Sequence, residues 1–491
     1  MKKLILILAL ALLLCSCADA ATNIGLDRLN WSQSFPVSTN ITMNDGHLVD
    51  AKLGESSAEV TVGPYKWCDY VTDGVNDEVQ IKQALATGKN VHLVGDLYID
   101  TDLILDESKF VCYGNGPGRT VITENGRATI QLGTSVKKAF QFVFSNMEIK
   151  RNLNGESKTD TVGINYSYGS PFWGVWGTMS NLYVHGSDND LVLGTKDAVG
   201  CVGAMSFTDC TFGPNPNDLY NPANRDNNSV LVWYGIQPRF TDCTFVGYNG
   251  AGILISNVAP ENNIWITNCY VHGGEIGKYG IRIEDGTDVI ISGVGSEAST
   301  EAQLYIGGGI KHKITQSFFG GRGSIGNAGQ SARIVSDYSI VKDVLISDSD
   351  FTYSNGEDGV HATDPVVEIE NVEGVKFQNC YVWDTGYGAI NVTDSSKFSI
   401  IGCNLYEYNA TYHNNAVSGM INLLGSCHTA VIQNNLLSGI ANEGITVQGS
   451  SWAIMVTGNN MYGTNLGGDA INITTTRPWT ITNSTNSWMT W

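Results

Sequence analysis

The chain has 491 residues, with 48 acidic and 28 basic side chains, and its formal net charge is −20 at pH 7. Because contacts with a phosphate backbone need a basic surface, this charge argues against nucleic acid and anionic membranes as partners. Glycine is abundant, with 56 residues against 11 prolines, which is typical of a chain with many tight corners between strands.

The first twenty residues have the pattern of a signal for export. Met1-Lys-Lys is followed by an apolar run over 4–14, which is too short for a usual membrane span. The sequence Ala-Asp-Ala at 18–20 is an A-x-A cleavage site. We therefore expect a signal peptide over 1–20 and a mature chain that begins at Ala21.

A second interpretation of the same segment is a lipoprotein signal. In that case Leu-Cys-Ser-Cys at 14–17 is the processing box, and Cys17 is acylated to anchor the protein. Both interpretations predict an exported protein that is secreted or held at the cell surface. Both also predict an N-terminal extension over 21–65 before the first repeated element.

An amphipathic helix is predicted over 75–87. Asn76 or Asp77 can serve as its N-cap, and Gly88 can end it. Short alternating strands follow at 90–95, 97–100 and 103–105. The apolar side of the helix is expected to be formed by Val75, Val79, Ile81, Leu85 and Ala86.

Twelve short segments share one template, and the clearest copy is Ile-Thr-Asn-Cys-Tyr-Val at 266–271. The central pivot residue of the template recurs every 23 to 35 residues. A fixed period in this range indicates a solenoid, in which each repeat buries its face only against its neighbours. The pivots are Met147, Leu182, Cys210, Cys243, Cys269, Val294, Ser317, Ser349, Cys380, Cys403, Asn434 and Asn459.

The template predicts a strand, a tight corner and a second strand. The pivot and the residue two positions later are mostly apolar or small, which is the period of a strand with one buried face. The residue before each pivot is Asn, Asp, Gly or Gln, and most of these tolerate the left-handed conformation of a corner. A third short strand follows 8–15 residues later, for example over 252–255. Several short parallel strands per turn make a parallel β-helix.

Three segments near the start of the repeats resemble a known family. They are Asp-Gly-Val-Asn-Asp-Glu-Val-Gln-Ile-Lys-Gln-Ala-Leu at 73–85, Gly-Asp-Leu-Tyr-Ile at 95–99 and Gly-Asn-Gly-Pro-Gly-Arg-Thr-Val-Ile at 114–122. This run is similar to the N-terminal cap and first coils of pectate-lyase-like right-handed parallel β-helix proteins, closest to secreted archaeal and bacterial members.

The resemblance implies an all-β, right-handed solenoid of about twelve coils over 66–475, with an N-terminal capping helix and a C-terminal tail over 476–491. It also implies a bias towards polysaccharides. It implies no particular reaction, because one fold carries many functions.

Five of the nine cysteines that follow the signal segment occupy pivots, so they are expected to stack inward. Adjacent rungs place Cα atoms ~4.8 Å apart, but parallel Cβ directions leave the sulfur atoms poorly placed for a disulfide. We therefore predict reduced, buried and unreactive thiols. No Cys-x-x-Cys pair has the spacing of a metal site. The five are Cys210, Cys243, Cys269, Cys380 and Cys403.

One outward row of the third strand set is the candidate site. Arg282, Tyr305 and His361 occupy it in the middle coils, with Glu284 and Asp358 at its edges. A lyase that acts on a uronic acid needs a cation beside the carboxylate and a Tyr, His or Lys that takes the neighbouring proton.

Arg282 and Tyr305 are predicted to touch, and Arg333 is predicted to lie between Tyr305 and His361. An ordinary solvated ladder of paired charges is the alternative for this row. Because the row is predicted to be exposed, Arg282→Ala is expected to leave thermal stability nearly unchanged.

Three functional classes remain open. No paired aspartates lie near a Gly-His-Gly, and Trp-Asp-Thr at 383–385 lacks the histidine of the pectate lyase signature. The first class is an exported protein that binds a polysaccharide or cell-envelope glycan without chemistry. The second is a polysaccharide lyase or glycoside hydrolase that acts on an acidic glycan, and the third is a viral or structural spike. The residues indicate no particular cofactor and no metal, and tailspike-like relatives suggest a homotrimer.

Overall fold

The computed structural model shows two compact units, divided between Ala58 and Glu59. The first contains an antiparallel pair of strands, and the second contains all the remaining elements. The predicted signal peptide, with Cys17, lies outside the residues that the structure describes. These are residues 39–44, 47–53, 59–107, 109–134, 139, 141–166, 177–194, 203–214, 226–233, 237–256, 263–274, 276–322, 330–354, 364–384, 388–407, 419–440, 443–463, 470–476 and 481–490.

Strands account for nearly all regular structure in these ranges, together with one helix, α1 (Glu78–Leu85). The strands are β1 Thr39–Asn44, β2 His47–Leu53, β3 Glu59–Gly63, β4 Tyr70–Val71, β5 Asn90–Leu93, β6 Gly95–Ile99, β7 Leu103–Leu105, β8 Val111–Tyr113, β9 Thr120–Asn125, β10 Ile130–Leu132, β11 Phe142–Asn152, β12 Val162–Tyr166, β13 Gly177–His185, β14 Asn189–Leu193, β15 Met205–Thr208, β16 Thr211–Phe212, β17 Asp226–Val232, β18 Arg239–Thr241, β19 Thr244–Val246, β20 Tyr248–Ser256, β21 Ile264–Thr267, β22 Tyr270–His272, β23 Tyr279–Asp285, β24 Val289–Ser292, β25 Gly295–Glu297, β26 Ala302–Ile306, β27 Lys313–Thr315, β28 Phe318–Arg322, β29 Gln330–Val335, β30 Leu345–Ser347, β31 Asp350–Ser354, β32 Val367–Glu370, β33 Lys376–Gln378, β34 Tyr381–Asp384, β35 Ile390–Thr393, β36 Ser399–Ile401, β37 Asn404–Glu407, β38 Gly419–Leu424, β39 His428–Gln433, β40 Leu436–Ile440, β41 Glu443–Gly449, β42 Trp452–Thr457, β43 Asn460–Gly463, β44 Ile471–Thr475, β45 Ile481–Ser484 and β46 Ser487–Thr490.

Three long parallel sheets form the second unit, and each strand pairs with its counterparts in the coils before and after it. Sheet 1 contains β3, β5, β8, β11, β13, β15, β18, β21, β24, β27, β30, β33, β36, β39, β42 and β45. Sheet 2 contains β6, β9, β11, β13, β16, β19, β22, β25, β28, β31, β34, β37, β40, β43 and β46. The long strands β11 and β13 pass through the corner and belong to both. Sheet 3 contains β7, β10, β12, β14, β17, β20, β23, β26, β29, β32, β35, β38, β41 and β44.

The corner between sheets 1 and 2 is a single left-handed residue, as the template predicts. Because only Gly, Asn and Asp adopt this conformation at little cost, the residue type before the pivot is the local cause of the bend. The pivot that follows it is buried in each of these copies. Corner residues with φ between 49° and 67° are Asn146, Asn181, Asp209, Asp242, Asn268, Gly293, Gln316, Asp348, Asn379, Gly402 and Gly458.

The predicted register is wrong by one residue in the eleventh copy. The left-handed residue there is Asn434, so Asn435 is the buried pivot and Leu437 points into the core. Leu436, which was expected inside, is exposed. Two adjacent asparagines fit the corner equally well by sequence, and a shift of one residue exchanges the two faces of a strand.

The core consists of stacked rows of identical positions from neighbouring coils. Phe245 and Val271 pair directly, which confirms the predicted stacking in one sheet. The rings of Phe207 and Phe240 stack with centroids 4.8 Å apart, and those of Phe212 and Phe245 with centroids 5.7 Å apart. Burial of each such side chain contributes roughly 1.5–3 kcal/mol, so every coil is stabilised by its neighbours. The second unit is a parallel β-helix.

Helix α1 packs against the first strands with Ile81 and Leu85 of the predicted side, but not with Val75, Val79 or Ala86. Ile81, Ala84 and Leu85 are buried, whereas Val75 and Val79 are exposed. Residues four apart share a side of a helix, and residues two apart do not, so Val79 and Ile81 cannot both face the coil. Within the described residues, helix α1 is not long and apolar enough to cross a membrane.

The pivot cysteines are free thiols and buried, which confirms the predicted state for all five. Hydrogen bonding to Cys243 and burial raise the pKa of Cys210 and Cys269. These neighbours in turn lower the pKa of Cys243, but Cys243 is closed to solvent. Access, rather than thiolate character, therefore limits its reactivity.

We predict that Cys210, Cys243, Cys269, Cys380 and Cys403 resist alkylation in the native protein and react completely after unfolding. Peptide mapping by mass spectrometry after native and denaturing alkylation measures this. A peptide that carries a Cys243–Cys269 disulfide, or native labelling of either residue, would contradict the prediction.

Two buried carboxyl groups and a partly buried lysine meet near the fourth and fifth strands of sheet 3. Asp190 in β14 and Asp226 at the start of β17 are fully buried and close enough to interact electrostatically, and Lys158 Nζ lies 2.6 Å from Asp226 Oδ1. Neither carboxyl oxygen of Asp190 has a hydrogen-bond partner among the described residues. Burial raises the pKa of Asp190 well above its usual range, and the neighbouring Asp226 raises it further. Burial also raises the pKa of Asp226, but the Lys158 ammonium opposes this rise, so Asp190 is the carboxyl group that we expect to keep a proton.

We predict that Asp190→Asn makes the protein more stable at neutral and alkaline pH. The folded-state pKa of Asp190 is raised above the unfolded value of about 3.8. Its contribution to the free energy of unfolding is therefore fully present below about pH 3.8 and falls by about 1.4 kcal/mol per pH unit as the pH rises towards the folded-state pKa. Asparagine has nearly the same size and does not titrate. Urea unfolding midpoints measured across pH test this.

Asp226→Asn is the matched control for this prediction, because it leaves the Lys158 ammonium without its carboxylate and should destabilise the protein. An Asp190→Asn variant with the pH dependence of the wild type would show that Asp190 is ionised in the folded state.

Candidate functional site

The outer row of sheet 3 has the register that the sequence indicates in the middle coils. Leu254 pairs with Arg282, Arg282 with Tyr305, and Tyr305 with Arg333. The Arg282 Cζ atom lies 5.6 Å from the centre of the Tyr305 ring. The predicted contact between Arg282 and Tyr305 is therefore confirmed, and so is the position of Arg333 on the next rung.

On the next rung, Glu368 occupies the position that pairs with Arg333. His361 and Asp358 lie outside the described residues, so their part in the site stays a prediction. The segment Val-Glu-Ile-Glu at 367–370 forms β32, which pairs with β29. Its alternation of apolar and acidic residues is the sequence signal that identifies this rung. The row then continues through Asn391.

Arg282 is enclosed by aromatic rings that the sequence did not assign to the site. Its Cζ atom lies 4.6 Å from the ring centre of Tyr279 and 5.7 Å from that of Tyr338. Its guanidinium donates to the Tyr338 hydroxyl and forms an ion pair with Glu284 Oε1 at 2.8 Å. The Nε atom of Arg282 is buried and has no hydrogen-bond partner among the described residues.

The tyrosines on either side of Arg282 hold their protons tightly. The Tyr305 hydroxyl donates to Asp337 Oδ2 at 2.5 Å, and burial together with this carboxylate raises its pKa. The Tyr279 hydroxyl donates to Glu301, and burial raises its pKa to about 12. Tyr305 is only 3% exposed. A general base must be ready to accept a proton near the working pH, so these environments disfavour both tyrosines in that role.

The cluster carries more negative than positive charge. Its two arginines are both paired, Arg282 with Glu284 and Arg333 with Glu368 at 2.9 Å. Two further carboxylates, Asp337 and Glu301, accept from the tyrosines. An anionic ligand at either guanidinium would therefore meet repulsion from the carboxylate already paired with it.

The solvent-facing part of the cluster is formed by Tyr338, Arg333 and Glu368. Tyr338 is exposed, and the Arg333 and Glu368 side chains are each about a third exposed. Over the described ranges, no group of three or more His, Cys, Asp or Glu side chains could hold a metal ion. The surface therefore offers an exposed aromatic ring, which lies against Arg282, and a fixed donor and acceptor pair.

Comparison with known proteins shows a shared fold. No family model matches the chain, and no curated protein matches it. Solved structures do match, including gene product 12 of bacteriophage phi29, with 15% identity, a TM-score of 0.50, and coverage of 80% of this chain and 51% of the phage protein. The chain thus spans about half the length of that protein.

Two further similar structures superpose less closely. The catalytic unit of the GH87 alpha-1,3-glucanase from Streptomyces thermodiastaticus has 11% identity and a TM-score of 0.40, with coverage of 90% of this chain and 70% of that one. The Dettilon tailspike protein has 14% identity and a TM-score of 0.41, with coverage of 81% and 64%.

The chain has the right-handed parallel β-helix fold, as the resemblance implied. The same fold occurs in carbohydrate-active enzymes and in phage tailspikes.

Arg282→Ala is predicted to destabilise the protein by about 1.5–3 kcal/mol, because it removes a charged hydrogen-bonding partner from half-buried groups. This revises the expectation from sequence, since the Arg282 side chain is only 23% exposed and its partner Glu284 is 16% exposed. Lys278→Ala, at a side chain that is 60% exposed, is the matched control and should change stability by less than about 0.5 kcal/mol. Equal unfolding midpoints for the two variants would contradict the prediction.

Proposed function

We propose that this protein is exported and binds a hydroxyl-rich glycan on the outer face of sheet 3, without acting on it chemically. The observation that carries the proposal is an outer face with two features: the exposed Tyr338 ring, which lies against Arg282, and the preformed ion pair of Arg333 and Glu368. Strands on successive rungs hold Arg333 and Glu368, and rigid elements position binding groups better than loops do.

A sugar hydroxyl group both donates and accepts hydrogen bonds, so it matches a neighbouring guanidinium and carboxylate. Arg333 uses its Nε atom for Glu368, which leaves other N–H groups on the same planar fork. The Glu368 carboxylate has further lone pairs. The exposed Tyr338 ring, which belongs to the same cluster through Arg282, supplies an apolar face, a combination found in ligand sites that select by orientation.

The electrostatics favour a neutral glycan over an acidic one. Four carboxylates lie around two arginines and Lys278 in the cluster, and the whole chain has a net charge of −20. A uronate would meet repulsion from both. A lyase acting through Tyr305 would also need that hydroxyl to release its proton, and Asp337 opposes this release.

The N-terminal pattern supports export, either as a freely secreted protein or through acylation of Cys17. A glycan at the cell surface or in the surrounding medium is the partner that such a location makes available. The lack of the catalytic motifs of pectate lyases and polygalacturonases in the sequence supports binding rather than cleavage.

Tyr338→Ala should weaken binding to the recognised polysaccharide about tenfold, since an aromatic contact contributes on the order of 1 kcal/mol beyond its buried area. Affinity electrophoresis in gels that contain dextran, pullulan, hydroxyethylcellulose, arabinoxylan or alginate measures this binding. Ile340→Ala, at an exposed apolar residue two positions along the same turn, is the matched control and should bind like the wild type.

The same polysaccharides, incubated with the wild type, should release no reducing ends and develop no ultraviolet absorbance from unsaturated uronides. Normal binding by Tyr338→Ala would show that the glycan lies elsewhere. Release of reducing ends or of unsaturated products would show that the protein is an enzyme.

A further inference from the structure

A row of aromatic side chains lies on the outer face of sheet 2, away from the site on sheet 3. The first outward position of successive rungs carries Tyr270, Gly295, Phe318, Asp350 and Tyr381, which pair in that order. Tyr270 and Phe318 are each 41% exposed, and Tyr381 is 49% exposed. Aromatic rings therefore occupy alternate rungs.

The small residues of these strands determine how the rings lie. A Cβ atom added to Gly320 would approach Phe318 Cε1 to 2.6 Å, so the Phe318 ring occupies the space above Gly320. In the same way, a Cβ atom on Gly295 would lie 3.5 Å from the Tyr270 ring. A ring that lies over backbone presents its other side outward. The glycines thus allow the rings to lie along the sheet.

Beside the last ring of the row lies a pair of exposed aromatic side chains. Trp383, two residues after Tyr381, and Tyr406 on the next rung are both exposed. Their ring centres are 5.4 Å apart in an edge-to-face arrangement. Exposed aromatic surface of this extent marks a binding surface more often than chance exposure does.

The charge along the row favours a neutral ligand over a second copy of the protein or an acidic polymer. The acidic groups along the row are Asp350, which is exposed and whose pKa is raised by partial desolvation, and Glu297, which accepts from the Tyr270 hydroxyl. With a chain charge of −20, a second copy of the protein or an acidic polymer would meet repulsion. Polar or glycine positions also separate the rings, whereas interfaces between protein copies are contiguous and apolar at their centre.

We infer that sheet 2 carries a second ligand surface, on which a neutral, extended glycan lies along the solenoid axis and stacks its sugar rings on Tyr270, Phe318 and Tyr381. Neighbouring strands are ~4.8 Å apart, so the rings repeat every ~9.6 Å, close to the span of two sugar rings in an extended chain. This surface shares no residue with the sheet 3 site and does not depend on the function proposed there.

The test is affinity electrophoresis of the full chain in gels that contain dextran, pullulan, hydroxyethylcellulose or arabinoxylan, with alginate as the acidic polymer. Phe318→Ala and Tyr381→Ala should each weaken retardation by a neutral polysaccharide about tenfold. Phe318→Trp keeps a stacking face and should retain binding, which separates stacking from misfolding. Met455→Ala removes an exposed apolar side chain from sheet 1 and should have no effect.

Tyr338→Ala, tested in the same gels, separates this proposal from the one for sheet 3. Loss of binding in Phe318→Ala but not in Tyr338→Ala supports the sheet 2 surface alone. Three outcomes overturn the inference: retardation by no neutral polysaccharide, retardation that Phe318→Ala and Tyr381→Ala leave unchanged, and a wild-type dimer in light scattering that Phe318→Ala dissociates.

Discussion

The structure depends on one backbone constraint, the left-handed residue that turns each coil from sheet 1 to sheet 2. These corners stack on each other through their side chains. Asn181 Nδ2 donates to Asn146 Oδ1 at 3.0 Å, and Asn379 Nδ2 donates to Asp348 Oδ1 at 3.3 Å. Where glycine takes the corner the stack leaves little space, since a Cβ atom on Gly458 would lie 2.4 Å from Asn434 Oδ1. The corner therefore accepts few residue types.

Register along the whole solenoid follows from that constraint. Side chains alternate between the faces of a strand, so a fixed corner determines which residues enter the core and which form outer rows. The buried rows explain why the cysteines of different coils stack at the pivot position, and why the phenylalanines stack at another position of the same template. The outer rows place side chains at one rung spacing along the axis, which suits a ligand that is itself a linear repeat.

The outer faces of sheets 2 and 3 use different chemistry. On sheet 3 the arginines are stacked on tyrosines and paired with carboxylates, so little free positive charge remains despite two guanidinium groups. On sheet 2 the exposed groups are mainly aromatic rings separated by small or polar residues. Both surfaces suit the proposed recognition of an uncharged molecule through hydrogen bonds and stacking. Among the described residues of the sheet 3 cluster, both arginines are paired and both buried tyrosines donate to carboxylates, which is a poor fit to the free cation and available base of a uronate lyase.

The sequence by itself determined the parallel β-helix, most of its corners, the buried cysteine stack and the contact between Arg282 and Tyr305. These follow from local signals, namely period-two alternation and a residue that tolerates positive φ. Where two asparagines stand together at 434–435, the local signal is degenerate, and tertiary packing chose the second as the buried pivot. The sequence also did not identify Glu368 as the residue on the rung after Arg333, because the length of the connection before that strand varies from coil to coil.

Only the tertiary structure decided the character of the candidate site. Tyr338 and Asp337 come from the turn that follows β29, and they reach Arg282 and Tyr305 from 56 and 32 residues away in sequence. No periodicity predicts that such side chains will cover an outward row. Their arrival turns an expected exposed arginine into a half-buried one and keeps the proton on Tyr305. Local residue types specify the path of the backbone, whereas burial and protonation depend on which distant side chains fill the remaining space.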